Sequence, residues 1–232
     1  TTTMKVPYTW LKDYVDIDLP LDGLARVMTN AGLEVESLTL VGLPAPQTDT
    51  HDVRIAGLSW EPDKIVVAQI NEVMPHPNAD RLVLCRLDDG SGEQTILTGA
   101  PNLYEYKGTG PLPQPIKVAY AREGARIYDG HQPGTVLTTL KRTRIRGVEY
   151  FSMVCSEKEL GISDEHEGIL ILDPGAPTGM PLVDYMGDAV FDIKLQPNVV
   201  RCASMVGVAR EIAAFTNKPL RKPLAAPPKG TP

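Results

Sequence analysis

The sequence predicts an α+β chain in which a small β-barrel is inserted into a small discontinuous α/β domain. Three observations predict it. A helix-helix-strand pattern opens the chain, five short strands fill the middle, and a strand-strand-helix pattern closes it. Each end is too small to bury a core alone, so each supplies the partner the other lacks. The boundaries read this way are 4–41 and 161–222 for the two halves of the α/β domain, 42–160 for the barrel and 223–232 for a Pro-rich tail.

The elements follow in order. Thr1–Thr3 read as a leader remnant and are set aside. Apolar residues at Trp10, Leu11, Tyr14 and Val15 predict a first helix over 8–15. Pro20 opens a second, with Leu21, Leu24, Met28 and Ala31 on one face and Gly32 as its stop. Leu33–Leu38 alternates as a half-buried strand, and 42–63 reads as loop. The barrel strands are predicted at 64–73, 81–88, 94–98, 115–120 and 136–147, with a turn at Asp89-Gly90-Ser91-Gly92. Five short strands in this span point to the five-stranded oligonucleotide/oligosaccharide-binding (OB) barrel. Strands at 168–172 and 190–195 and a helix over 202–216 complete the chain. From Lys218 onward the Pro-rich sequence reads as a linker or frayed end.

Composition narrows the function classes. The 232 residues carry 23 Lys+Arg and 29 Asp+Glu, a formal net charge of −6. This argues against a surface that is basic throughout. The acid is concentrated: residues 1–63 carry 4 basic and 10 acidic side chains, whereas 64–160 carry 12 basic and 11 acidic. The three cysteines, Cys85, Cys155 and Cys202, are widely spaced with no CxxC, which fits neither a disulfide framework nor a zinc site and points to a reducing, cytoplasmic setting. No stretch is apolar for long enough to span a membrane. GxxxxGK[ST], GxGxxG, GxSxG and HExxH are all missing, so no catalytic residue and no metal site is predicted.

Three separated segments carry a more specific signal: Val73-Met74-Pro75-His76-Pro77-Asn78-Ala79-Asp80-Arg81-Leu82, Thr98-Gly99-Ala100-Pro101-Asn102, and Cys155-Ser156-Glu157-Lys158-Glu159-Leu160-Gly161. Their order and spacing resemble the tRNA-binding OB barrel shared by several synthetases and free-standing tRNA-binding proteins. Met4–Val15, Cys155–Leu172, and Gln196-Pro197-Asn198 followed by Gly207–Ala214 extend the resemblance to the bacterial phenylalanyl-tRNA synthetase beta subunit, from Met4 to about Pro223. One stretch departs from that pattern: Val199-Val200-Arg201-Cys202 lacks the family's carboxylate after Pro-Asn. The resemblance implies the N-terminal, non-catalytic part of a phenylalanine-tRNA ligase. Its partners would be tRNA (tRNA-Phe) and the alpha subunit, in a heterotetramer of two alpha and two beta chains. ATP and Mg²⁺ would serve the parent enzyme rather than this chain. A free-standing tRNA-binding or chaperone-like protein and a purely structural docking module are the alternatives.

For RNA contact the candidates are Lys141, Arg142, Arg144 and Arg146, with Arg142, Arg144 and Arg146 expected on one face of a strand at phosphate-like spacing. The competing reading is a solvated basic edge. Arg81, Arg86, Lys117 and Arg126 extend that surface, and Tyr104, Tyr106 and Tyr120 are candidate stacking rings. Asn102 either bonds RNA or pins its own loop. His76, Pro77 and Asp80 read as a rigid turn in which Asp80 caps backbone N–H groups and positions Arg81. Gly99, Ser156 and Glu159 are motif residues with structural roles. Asp164-Glu165-His166-Glu167 reads as an acidic loop rather than a metal cluster, and Cys155 and Cys202 as small buried hydrophobes.

Overall fold

The computed structural model describes residues 2–46, 53–145 and 148–221, with Thr2, 143–145 and 148–150 described as backbone only. In chain order the elements are β1 (Thr2–Pro7), α1 (Tyr8–Leu11), α2 (Leu21–Asn30), β2 (Glu34–Gly42), β3 (Arg54–Ser59), β4 (Ile65–Pro75), β5 (Val83–Asp88), β6 (Glu93–Thr98), a 3₁₀ turn (Pro101–Tyr106), β7 (Pro111–Ala121), β8 (Arg126–Tyr128), β9 (Leu137–Thr139), β10 (Thr143–Ile145), β11 (Val148–Tyr150), β12 (Met153–Val154), α3 (Leu182–Met186), β13 (Asp188–Leu195), a second 3₁₀ segment (Pro197–Cys202) and α4 (Met205–Thr216).

The chain divides into two compact units. The first comprises 1–40, 45–56 and 188–232, and the second 41–44 and 57–187. In the first, the sheet order is β1-β13-β2-β3, with β1 antiparallel to β13 from Thr2↔Leu195 to Pro7↔Val190. Thr2 and Thr3, set aside in the sequence reading, are thus paired in β1. The predicted 8–15 helix is a single turn, α1. The chain then turns, and Val15 bridges Leu220. α2 is as predicted, with Leu24, Ala25 and Met28 buried. In α4, Met205, Val208, Ala209, Ile212 and Ala213 form the buried stripe. The Ser204 side chain accepts from the Gly207 N–H at 3.1 Å, and Asn217 ends the helix in the left-handed region at φ 53°.

A further expectation in this unit changes. Lys218–Arg221 is docked, not frayed: Lys218 pairs with Asp18, Arg221 pairs with Asp16, and the Arg221 N–H donates to the Tyr14 carbonyl. In the stretch that departs from the resemblance, Arg201 Nε lies 2.9 Å from Glu211 Oε1 of α4. The tail 223–232 lies outside the described residues.

The second unit is built on the antiparallel sheet β12-β7-β4-β5-β6, and β12 returns against β6 to leave a nearly closed five-stranded barrel. This is the OB-type architecture the sequence predicts. β4 carries a register shift between Ile70 and Glu72, which adds the local bend a small barrel needs. Two apolar cores lie on opposite faces of β4 and β7. Val66, Ala68, Ile70, Val118 and Tyr120 face the barrel interior. Ile65, Val67, Ala119 and Ala121 face an outer core with Leu58, Trp60, Leu160, Leu172 and Leu182.

Three segments depart from the expected layout, the first and third through the outer core. First, the segment 161–187 packs with the barrel, so the second half of the split unit begins at Asp188 rather than at 161. Its predicted strand at 168–172 is reduced to a bridge, Val118↔Ile171, flanked by bonds from Leu170 N–H to the Cys155 carbonyl and from Leu172 N–H to the Lys117 carbonyl. Second, the predicted loop at 42–63 contains β3, a six-residue strand with mostly exposed positions and so little alternation to detect. Third, the predicted strand 136–147 is broken. Leu140 packs onto the outer core and exchanges backbone bonds with 124–125, so β9 ends at Thr139 and β10 starts at Thr143.

Gly42 marks where backbone freedom is required. Its φ is +74°, and a Cβ there would sit 2.3 Å from Trp60 Cε3. The buried Trp60 is held by its own N–H to the Gly42 carbonyl at 3.0 Å and by Nε1 to the Leu160 carbonyl at 3.0 Å, so it cannot move aside cheaply. Gly42→Ala is expected to cost on the order of 3 kcal/mol through combined strain and overpacking. Urea unfolding followed by tryptophan fluorescence measures it, and a loss below about 0.5 kcal/mol would contradict this packing.

Candidate nucleic-acid interface

The three sequence motifs meet at one end of the barrel. In the first, Pro75 and Pro77 stiffen the loop that leaves β4. His76 is only 6% exposed, and its Nδ1 accepts from the Asn78 N–H at 3.1 Å. A neutral ring accepting there carries its proton on Nε2. The His76 ring, with the Leu82 N–H to Ala79 carbonyl bond, closes this turn. That is the role expected of the Asp80 carboxyl. Asp80 is exposed, and it is the Asp80 carbonyl that accepts, from Lys107 Nζ at 2.9 Å.

In the second motif Asn102 reaches across to residue 169. The Asn102 amide copies a peptide pairing: Nδ2 donates to the Ile169 carbonyl at 2.9 Å and Oδ1 accepts from the Ile169 N–H at 3.2 Å. With both ends of the amide bonded, Asn102 ties 102 to 169, the segment the sequence reading assigned to the other domain. The Gly99 carbonyl accepts from the Tyr104 hydroxyl at 3.1 Å.

The third motif is a capping box. Glu159 Oε2 accepts from the Ser156 N–H at 2.6 Å and from the Ser156 hydroxyl at 3.0 Å. The turn it closes puts Leu160 into the outer core and presents the Leu160 carbonyl to Trp60. Gly161 follows at φ +73°, where a Cβ would lie 2.8 Å from the Tyr128 ring. Burial raises the Glu159 carboxyl above its usual range, against the lowering effect of the Ser156 hydrogen bonds.

Most of the predicted cations have carboxylate or carbonyl partners. Arg86 lies 3.1 Å from both Glu72 and Glu93. Lys117 donates to Gln69 Oε1 at 2.9 Å and to the Thr178 hydroxyl at 2.6 Å. Arg126 pairs with Glu61 at 2.9 Å. Arg142 pairs with Glu123 at 3.1 Å and lies over the Phe151 ring. Arg142 itself falls between β9 and β10, outside any strand. The Arg144 backbone is in β10, opposite Glu149, and Arg146 lies outside the described residues. Lys141 is exposed. Of the candidate stacking rings, Tyr120 is 1% exposed inside the barrel and Tyr106 packs against that core, which leaves Tyr104.

A cleft of about 570 Å³ opens at this end. It is lined by residues from all three motifs, among them Leu82, Gly99 and Glu159, and by Lys141, Phe151, His131 and His166. It lies between the first residues after β6 and the long excursion joining β7 to β12, a position OB barrels use for oligomeric ligands. Phe151, His131 and Lys107 carry no sequence signal of their own, since only folding brings them beside the motifs. Among the described residues no three His, Cys, Asp or Glu side chains group as metal ligands, and no helix is long and apolar enough to cross a membrane.

Comparison with known proteins agrees with this geometry. The family described as "Putative tRNA binding domain" matches residues 65–110, the stretch from β4 through the 3₁₀ turn. Over nearly its whole length the chain is similar to one particular protein, the phenylalanine-tRNA ligase beta subunit. It is 42% identical to that of Dehalococcoides mccartyi over 215 residues, 93% of this chain and 23% of the relative. It is 41% identical to that of Syntrophus aciditrophicus over 222 residues and 39% identical to that of Burkholderia pseudomallei over 223 residues, in each case 95% of this chain and 24% of the relative. The chain thus spans about a quarter of the length of these relatives.

Glu159→Gln keeps an acceptor oxygen for the Ser156 N–H without burying a charge. It is expected to be at least as stable as the parent chain at pH 7, while Glu159→Ala loses about 1–2 kcal/mol. The folded-state carboxyl titrates above its unfolded value, so folding takes up a proton. The stability this brings is full below about pH 4.3 and is lost as pH rises through the folded value. The advantage of Gln therefore appears at neutral pH and shrinks toward pH 4. Denaturant unfolding at the two pH values checks it, and a Gln variant as unstable as the Ala variant at pH 7 would contradict it.

Proposed function

We propose that this chain is the non-catalytic N-terminal part of a phenylalanine-tRNA ligase beta subunit, and that its barrel helps to hold tRNA, with tRNA-Phe as the cognate partner. The observation that carries the reading is the coincidence of the tRNA-binding family match at 65–110 with the barrel end where the three motifs meet a cleft. Binding here is electrostatic and largely tolerant of sequence, with Lys141 and the aromatic Phe151 on the cleft wall as candidate contacts. The split unit around the barrel serves assembly with the alpha subunit, in a heterotetramer of two alpha and two beta chains working in the cytoplasm. ATP and Mg²⁺ are assigned to parts of the enzyme beyond this chain.

One observation favours the docking reading as runner-up. Arg86, Arg126 and Arg142 are already neutralised by carboxylates. The two readings separate in a salt titration of tRNA binding by the 232-residue chain. Contact with three to six phosphates predicts log K falling with log salt at a slope of about −2 to −5. Lys141→Gln is expected to flatten the slope by about 1, and Lys117→Gln to leave it unchanged. Absence of tRNA binding at low salt would refute the RNA reading and leave docking.

A further inference from the structure

Next to Gly99 on the cleft wall, three exposed or half-exposed residues are stitched together by hydrogen bonds between segments far apart in sequence. The Tyr104 hydroxyl lies 2.8 Å from the Arg81 carbonyl and 3.1 Å from the Gly99 carbonyl. Lys107 Nζ donates to the Asp80 carbonyl at 2.9 Å. The backbone behind them is fixed. Leu103 is fully buried at the centre of the 3₁₀ turn, and the Gly108 N–H donates to the Val73 carbonyl at 2.8 Å. Tyr104 is thus pinned at its oxygen while its residue remains 36% exposed. Arg81 is exposed, and its guanidinium forms no ion pair or hydrogen bond with a described residue, unlike Arg86, Arg122, Arg126 and Arg142. Lys107 keeps two N–H donors beyond the one it gives to Asp80.

The geometry points to a nucleotide-binding site at Arg81, Tyr104 and Lys107 that takes one unpaired nucleotide of an RNA strand. The base stacks on the Tyr104 ring, and Arg81 and Lys107 take its phosphate. This deepens the RNA-binding reading above and rests on it. The chemistry follows from the parts. An exposed ring held at one end is a stacking platform that costs little ordering on binding. A guanidinium with no partner among the described residues and an ammonium with two N–H donors to spare are phosphate donors. A base inside a duplex cannot reach the ring, so the site selects unpaired or looped nucleotides over a helix. Two carboxylates oppose the phosphate. Asp80 is adjacent to Arg81 and Glu105 is adjacent to Tyr104, and both are exposed.

The test uses the 232-residue chain and fluorescence anisotropy at low salt, with a 12-nucleotide unstructured RNA, a fully paired RNA duplex and whole tRNA as probes. Tyr104→Leu is expected to weaken single-strand binding at least fivefold and duplex binding less than twofold, while Tyr104→Trp keeps the single-strand affinity. Arg81→Gln and Lys107→Gln each lower the salt slope for the single strand by about 1, and Asp80→Asn strengthens binding. These side chains are on the surface, and thermal unfolding of each variant confirms that the fold is kept. Single-strand binding unchanged in Tyr104→Leu and Arg81→Gln, with the parent chain still binding, would overturn this site and leave the RNA reading intact. A parent chain that binds none of the three probes would overturn both.

Discussion

Strands β4 and β7 run antiparallel from the Ile65↔Ala121 pair to the Glu72↔Pro111 pair, and both of their faces are covered. Alternate residues point into the barrel and into the outer core. Neither strand can therefore slip by one position without exchanging one apolar set for the other. Each large apolar side chain buried this way contributes roughly 1.5–3 kcal/mol relative to exposure. Everything at the functional end hangs from this pair. β4 delivers the loop of the first motif, β7 delivers the excursion that walls the cleft, and the outer core anchors the capping-box turn through Leu160 and Trp60.

The three motifs form bonds that hold the walls of the cleft together. His76 closes its own turn, Asn102 replaces a peptide pairing to residue 169, and Ser156 and Glu159 cap one turn. These bonds fix backbone where the barrel opens, so that a few exposed groups stay in place. The electrostatics follow the same division. Arg86 on β5 and Arg126 on β8 are matched by neighbouring carboxylates, which suits a folded barrel with near-equal numbers of each charge. The cations left over, such as Arg81, lie on the loops.

Much of the barrel was legible because its strands alternate cleanly: β5 and β6 lie within one or two residues of their predicted positions, and β4 ends only two residues beyond its predicted limit. α2 and α4 were legible from helical periodicity and their stops. What failed depended on long-range contacts. β3 has little apolar pattern, Leu140 breaks a basic run by packing into the outer core, and residues 161–187 join the barrel because Leu172 and Leu182 complete that core. Of the candidate site, the motif residues were legible but their roles only partly so. The run at 136–147 read as one strand because spacing along a sequence carries no information on where a strand ends.

Native-state hydrogen exchange tests the central claim, that the barrel and its outer core are one cooperative unit organised by β4 and β7. The Val67, Leu170, Leu172 and Gly179 amides donate to the carbonyls of Met180, Cys155, Lys117 and Val67 respectively. The account predicts that these four amides exchange through the same opening, at the same free energy, as the ladder amides of β4 and β7. Exchange of Leu170, Leu172 and Gly179 through a separate, lower-energy opening, with the β4 and β7 amides still protected, would contradict it.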